Sequence, residues 1–152
     1  MSNAKIECYV LPAEPLPMLL PVECVAEVVK KPTIEPLKKA PASWMKGHVN
    51  WQNQRLPLMS FSSLLDSDYD EADKSKTTLI VLNAIPDAAR KAYSGLLCSG
   101  KVTTISIDKK VGYSDEYSEL DKRYVESVVR VGKKDYIIPK LASLAVAFTY
   151  LS

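Results

Sequence analysis

The chain has 152 residues, of which 47% are apolar and 25% charged, and a net charge of +2. A domain of this length buries roughly 68–70% of the surface its unfolded form exposes, so a core forms without disulfide or metal staples. No stretch reaches the roughly 18 apolar residues of a membrane span, and Met1 through Lys5 lacks the basic start and apolar middle of an export signal; a soluble, cytoplasmic protein is expected.

Residues 6–11 alternate Ile6, Cys8 and Val10 with Glu7, Tyr9 and Leu11, the period of a half-buried strand. The apolar run 16–20 is its expected antiparallel neighbour. Pro21 suits a first helical position and predicts a short helix over residues 22–27. Pro32, Pro36 and Pro41, with the lysine pair Lys38-Lys39 between the last two, predict an extended connector.

Residues 46–59 predict a hairpin in which Val49/Trp51 and Leu56/Leu58 flank the polar link Gln52-Asn53-Gln54-Arg55, with Trp51 pointing inward. The tract Asp66, Asp68, Asp70, Glu71 and Asp73 reads as a solvated loop. Leu79-Ile80-Val81-Leu82 predicts a strand buried on both faces. Two more short strands are expected over residues 95–107, broken near Ser99-Gly100.

Farther on, Val125, Ser127, Val129 and Val131 are assigned to one face of a strand, and Gly132-Lys133-Lys134-Asp135 turns it into Tyr136-Ile137-Ile138. Leu141, Leu144, Ala145 and Phe148, extended by Leu151, carry the apolar stripe of a terminal helix. Many short, closely spaced strands favour small β-barrels over a parallel α/β sheet.

Few residues suggest chemistry. No phosphate-cradling glycine loop, zincin pair, nucleophile elbow or Cys-x-x-Cys occurs. Cys8, Cys24 and Cys98 are widely spaced within apolar stretches and read as reduced thiols, and a single histidine, His48, cannot build an imidazole relay. The pairs Asp66/Asp68 and Asp115/Glu116 sit in polar stretches where nothing would raise a carboxyl pKa. Neither an enzyme nor a cofactor or metal site is expected.

Charge is unevenly spread: Lys30, Lys31, Lys38, Lys39, Lys46 and Arg55 stand against the single acid Glu35. With Trp44 and Trp51, this region between Lys30 and Arg55 is the basis of an alternative, a small-barrel nucleic-acid-binding module. The tryptophans fit hairpin or core packing better, and a pI of 8.3 is below the usual basic footprint.

The segment Gly47-His48-Val49-Asn50-Trp51-Gln52-Asn53 followed by Leu56-Pro57-Leu58 resembles the signature of the CheW-like coupling-protein family, Gly-x-x-Asn-Leu-Arg-Gly and then apolar-Pro-apolar. Val22-Glu23-Cys24-Val25-Ala26-Glu27-Val28 is similar to that family's Val-x-x-Val-x-Glu-apolar segment. Residues 79–82, Gly95-Leu96-Leu97-Cys98-Ser99 and the stretch 124–144 resemble its later strands and closing helix. Gln52 stands where the family usually has arginine, Asn53 where it has glycine, and Ser60 where it has aspartate.

The resemblance implies a mainly β fold over residues 1–152: one domain of two intertwined, five-stranded SH3-like barrels packed together, with short helices including a C-terminal one. It implies a non-catalytic adaptor linking the cytoplasmic tip of a methyl-accepting chemoreceptor to the regulatory domain of a CheA-type histidine kinase, with other CheW-like proteins as further partners and no nucleic acid or membrane insertion. The interaction residues it implies are Val25, Glu27, Gly47, Gln52 and Asn53. The altered signature is similar to that of auxiliary couplers in systems controlling type IV pili.

Overall fold

The computed structural model describes residues 5–39, 42–66, 77–83, 93–108 and 110–149. The chain opens with β1 (Lys5–Leu11) and β2 (Met18–Pro21), a 3-10 turn (Val22–Cys24), β3 (Val25–Lys30) and the two-residue β4 (Ile34–Glu35). Next come β5 (Met45–Trp51), β6 (Gln54–Ser60), α1 (Phe61–Leu65), β7 (Thr77–Leu82) and β8 (Ser94–Ser99). The chain closes with β9 (Thr103–Asp108), the two-residue β10 (Gly112–Tyr113), β11 (Val125–Val131), β12 (Lys134–Pro139) and α2 (Leu141–Thr149). The acidic tract beyond Asp66 and Leu151 both lie outside the described residues.

The described strands form two six-stranded sheets, ordered β10-β11-β12-β2-β1-β9 and β3-β7-β8-β6-β5-β4. Each holds five strands of four or more residues and one two-residue strand. In both sheets the two edge strands are consecutive in the chain, joined by residues 109–111 in the first and 31–33 in the second. Three linking residues reach at most about 14 Å, whereas the edges of a flat six-stranded sheet lie about 24 Å apart. Each sheet must therefore curl until its edges approach, which makes it a small barrel, as expected from the sequence. The chain leaves the first barrel after β2, builds the whole second barrel, and returns at β9.

Three apolar clusters result. Cys8, Leu19, Ile107, Val129 and Tyr136 fill the first barrel, and Val49, Leu56, Leu58, Leu79, Val81 and Leu97 fill the second. The third cluster lies between them, where Leu11 and Leu20 of the first sheet meet Met59, Ile80 and Leu96 of the second, with Leu144 and Phe148 of α2. All six residues of β7 are buried because each of its faces meets a different cluster. On α2 the stripe holds: Leu144 and Phe148 are fully buried, while Ala142 and Val146 are exposed.

Three expectations are corrected and one element is added. Residues 22–27 form one 3-10 turn that gives way to β3, because Asn83 donates its backbone N–H to the Cys24 carbonyl (2.9 Å) and its side-chain amide to that of Glu23 (2.8 Å). The hairpin link is two residues, with Gln54 and Arg55 already paired in β6. A bulge between Val125 and Ser127 breaks the alternation of β11, so Val125 and Val128 face the shared core while Val129 and Val131 face the first barrel. Helix α1, unforeseen from the sequence, starts at Ser60, whose Oγ accepts the Ser63 N–H (3.2 Å) as an N-cap.

Across β11 and β12, Arg130 grips Asp135 through Nε (2.8 Å) and Nη2 (3.1 Å) and reaches Glu116 at 3.3 Å. Hydrogen bonding from Arg130 holds the Asp135 carboxyl below its ordinary value. The pair therefore stabilises the fold above the unfolded aspartate value near pH 4, and that contribution disappears as pH falls through the folded value. Urea midpoints measured between pH 2 and 5 are expected to fall with acid less steeply in Arg130→Gln than in the parent. Phe148→Ala is expected to cost about 3–5 kcal/mol in urea unfolding followed by tryptophan fluorescence, since it opens a cavity where both barrels meet.

Candidate functional site

The β5–β6 hairpin turns on Gln52 and Asn53, whose φ angles of 47° and 63° place both in the left-handed region. Two such residues in a two-residue link give the hand of turn that matches strand twist, usually built from Asn-Gly. Both side chains are exposed. Trp51, just before the turn, points inward as expected, half-buried against the core of the second barrel. Its ring packs against Tyr93 at a centroid separation of 5.0 Å and an interplanar angle of 57°.

The indole Nε1 of Trp51 donates to Glu27 Oε1 at 3.2 Å. Glu27 belongs to β3, an edge strand, and Trp51 to β5, with three strands between them in the sheet order. Only the curling of the sheet brings them together. Glu27, Trp51, Gln52, Asn53 and Tyr93 thus form one surface where the barrel closes, with a fixed carboxylate beside two aromatic rings and a neutral amide turn.

The other expected residues sit apart from this surface. Val25 is half-buried against the shared core. Gly47 is buried, with φ of 115°, and a Cβ there would stand 2.0 Å from the Glu35 carbonyl oxygen. It lets β4 lie against β5, and this close approach fixes Glu35, whose carboxylate accepts from Asn50 Nδ2 (3.1 Å) and Arg55 Nε (3.3 Å). Tyr93 went unnoticed in the sequence because nothing in its neighbourhood marks it; its partner is 42 positions away in the chain.

The chemistry available here is recognition. Burial, reinforced by Glu7 and Cys24, pushes the Cys8 thiol up, and burial with Glu23 does the same for Cys24, so both stay protonated and weakly nucleophilic at neutral pH. Among the described residues no three His, Cys, Asp or Glu side chains come together as a metal-binding group, and no helix is long and apolar enough to cross a membrane.

The CheW-like domain model matches residues 10–147. The chain belongs to the CheW-like domain family. Its fold is similar to that of the scaffolding protein TtCheW from Thermoanaerobacter tengcongensis, with a TM-score of 0.73 over 90% of each chain at 19% identity. No curated protein sequence matches it. Within the family signature the chain departs at Trp51, Gln52, Asn53 and Ser60. The last departure is physically mild, because serine and aspartate are comparable N-caps and Ser60 fills that role for α1.

Left-handed backbone costs a non-glycine residue roughly 1–2 kcal/mol. Gln52→Asn with Asn53→Gly, which gives the turn its preferred residues, is expected to stabilise the domain by about 1 kcal/mol in chemical denaturation. Trp51→Phe keeps a ring against Tyr93 but removes the donor to Glu27. A loss of no more than about 1 kcal/mol is expected, because the hydrogen bond is exposed; a larger loss would mean that this bond is needed to close the barrel.

Proposed function

We propose that this chain is a non-catalytic adaptor in a bacterial chemosensory pathway, working in the cytoplasm between the tip of a chemoreceptor and the regulatory domain of a CheA-type histidine kinase. The observation that carries the reading is the hydrogen bond between Trp51 and Glu27, which joins two segments of the family signature into one exposed surface. Glu27, Gln52 and Asn53 present that surface, while Val25, against the shared core, and Gly47, beside Glu35, lie apart from it. Reversible signalling contacts need only modest areas on rigid supports, and a closed barrel end is such a support.

In this reading, receptor grip is altered from the family norm. An arginine offers a planar charged fork, whereas Gln52 offers a neutral amide, and Glu27 is already held by an indole N–H. The altered turn favours an auxiliary coupler, of the kind found in systems that control type IV pili, and other CheW-like barrels become natural partners. Nucleic acid is a poorer fit: Trp51 stacks on Tyr93 and bonds a carboxylate, and Arg55 is paired with Glu35, so neither contributes to a basic stacking groove.

The test is calorimetric titration of the full chain with a kinase regulatory domain and, separately, a receptor cytoplasmic tip. Binding to the kinase domain is expected. Gln52→Arg with Asn53→Gly should tighten receptor binding about ten-fold or more, since a charge-assisted hydrogen bond contributes about 1.5–3 kcal/mol. Absence of binding to both partners, with the fold intact by circular dichroism, would refute the proposal.

A further inference from the structure

At the Lys30 end of β3, away from Glu27, lies a groove of about 580 Å³. Its sides carry Lys30 and Lys31 on one flank and Lys101 on the other, with Val28 and Val102 between them. The floor is built by hydrogen bonds. Lys31 donates its backbone N–H to the Thr77 carbonyl (3.2 Å), and Thr78 Oγ1 donates to the Gly100 carbonyl (3.0 Å). These bonds tie the β3 end, β7 and the β8–β9 link into one rigid concavity. Lys31 and Gly100, with φ of 52° and 114°, make the tight reversals that leave the lysines at its rim.

All three lysine side chains are exposed, and none is joined by a described salt bridge to an acidic residue of this chain. The described arginines are matched, Arg55 by Glu35, Arg123 by Asp121 and Arg130 by Asp135 and Glu116, whereas exposed lysines such as Lys38, Lys122 and Lys133 also lack a described salt bridge; what sets Lys30, Lys31 and Lys101 apart is that they converge on one groove. A groove with valines between three ammonium groups that no described carboxylate pairs complements a segment that offers carboxylates around an aliphatic side chain. Lysine stems add apolar contact while their heads meet the carboxylates.

The geometry points to a docking site for an acidic, partly apolar segment of a protein partner, held by Lys30, Lys31 and Lys101 around Val28 and Val102. Nucleic acid fits less well. No aromatic side chain lines the groove to stack a base, and three cations fall short of the roughly six to ten phosphate contacts of a duplex-binding surface. The site does not rest on the proposed coupling role, because none of its residues belongs to the Glu27–Trp51 surface.

The test uses the full chain, labelled with nitrogen-15, and three probes: a synthetic amphipathic peptide with glutamates flanking leucines, its lysine-for-glutamate counterpart, and a 20-nucleotide single-stranded DNA. The acidic peptide is expected to move the amide signals of Val28, Lys30, Thr78, Lys101 and Val102, with weaker binding at high salt as screening shortens. The triple change Lys30→Glu, Lys31→Glu, Lys101→Glu should weaken it about ten-fold or more. The milder Lys→Gln triple change serves if charge reversal disturbs the fold. Gln52→Arg with Asn53→Gly should leave this binding unchanged, so that failure here and failure of the coupling role are read separately. The site is overturned if the acidic peptide leaves these signals unmoved, if the folded triple variant binds it equally well, or if the lysine peptide or the DNA binds more tightly.

Discussion

Leu11, Leu20, Met59, Ile80 and Phe148 meet in a core that neither barrel completes alone. A six-stranded sheet curled around its own five- or six-residue interior still has an outer face, and on the facing sides of these two barrels that face is apolar. Each barrel buries it against the other, with α2 sealing the junction. Burial of apolar area is the dominant favourable term in folding, so the two barrels are coupled by the same force that forms each of them. The chain path enforces this, since the second barrel is inserted between β2 and β9 of the first.

That shared core accounts for the strands that carry no polar face. β7 is buried throughout because its residues alternate between Ile80 and Leu82 in the junction and Leu79 and Val81 in its own barrel. β1 divides likewise, with Cys8 inside the first barrel and Leu11 in the junction. Toward the far side, where the second barrel closes on itself, burial falls off and polar groups collect. Glu27, Gln52 and Asn53 lie there, whereas the Lys30 groove borders the junction, because its Val28 and Val102 pack against the shared core. The Glu27 surface proposed to meet partners thus lies outside the junction.

Much of this was legible in the chain, for reasons that can be traced to particular residues. Period-two patterns in residues 6–11 and the unbroken Leu79-Ile80-Val81-Leu82 run predict strands because sheet faces alternate or are both buried. The stripe through Leu141, Leu144 and Phe148 predicts α2. What failed was decided at a distance or by a single local bond. Pro21 signals a helix start, yet Asn83, 59 positions beyond Cys24, takes the carbonyls of the turn and releases the valines into β3. α1 is only five residues long and depends on the Ser60 cap, too short for a periodic signal. At the site, Glu27 and Gln52-Asn53 were legible through the family pattern, whereas the Trp51 link and Tyr93 were not, because barrel closure creates them. Lys101 was likewise invisible as a partner of Lys30 until the β8–β9 link lay beside β7.

The substitutions in the signature change the physics of this surface in a consistent direction. A family arginine at position 52 would place a mobile cation near the Glu27 carboxylate; here Trp51 supplies a neutral donor instead, and an aromatic pair replaces a leucine. Rigid aromatic rings give contact area at small entropic cost and are enriched where interfaces concentrate their energy. In the proposed reading, recognition at Glu27 leans on shape and apolar contact, which salt affects little. Recognition at the Lys30 end leans on charge, which salt screens strongly and which accelerates encounter more than it strengthens the final complex. With Glu27 and Lys30 three residues apart on β3, a single rigid strand spaces the proposed steering surface from the proposed gripping one by about 10 Å. One partner with an acidic segment beside an apolar patch, or two partners bound side by side, would meet both.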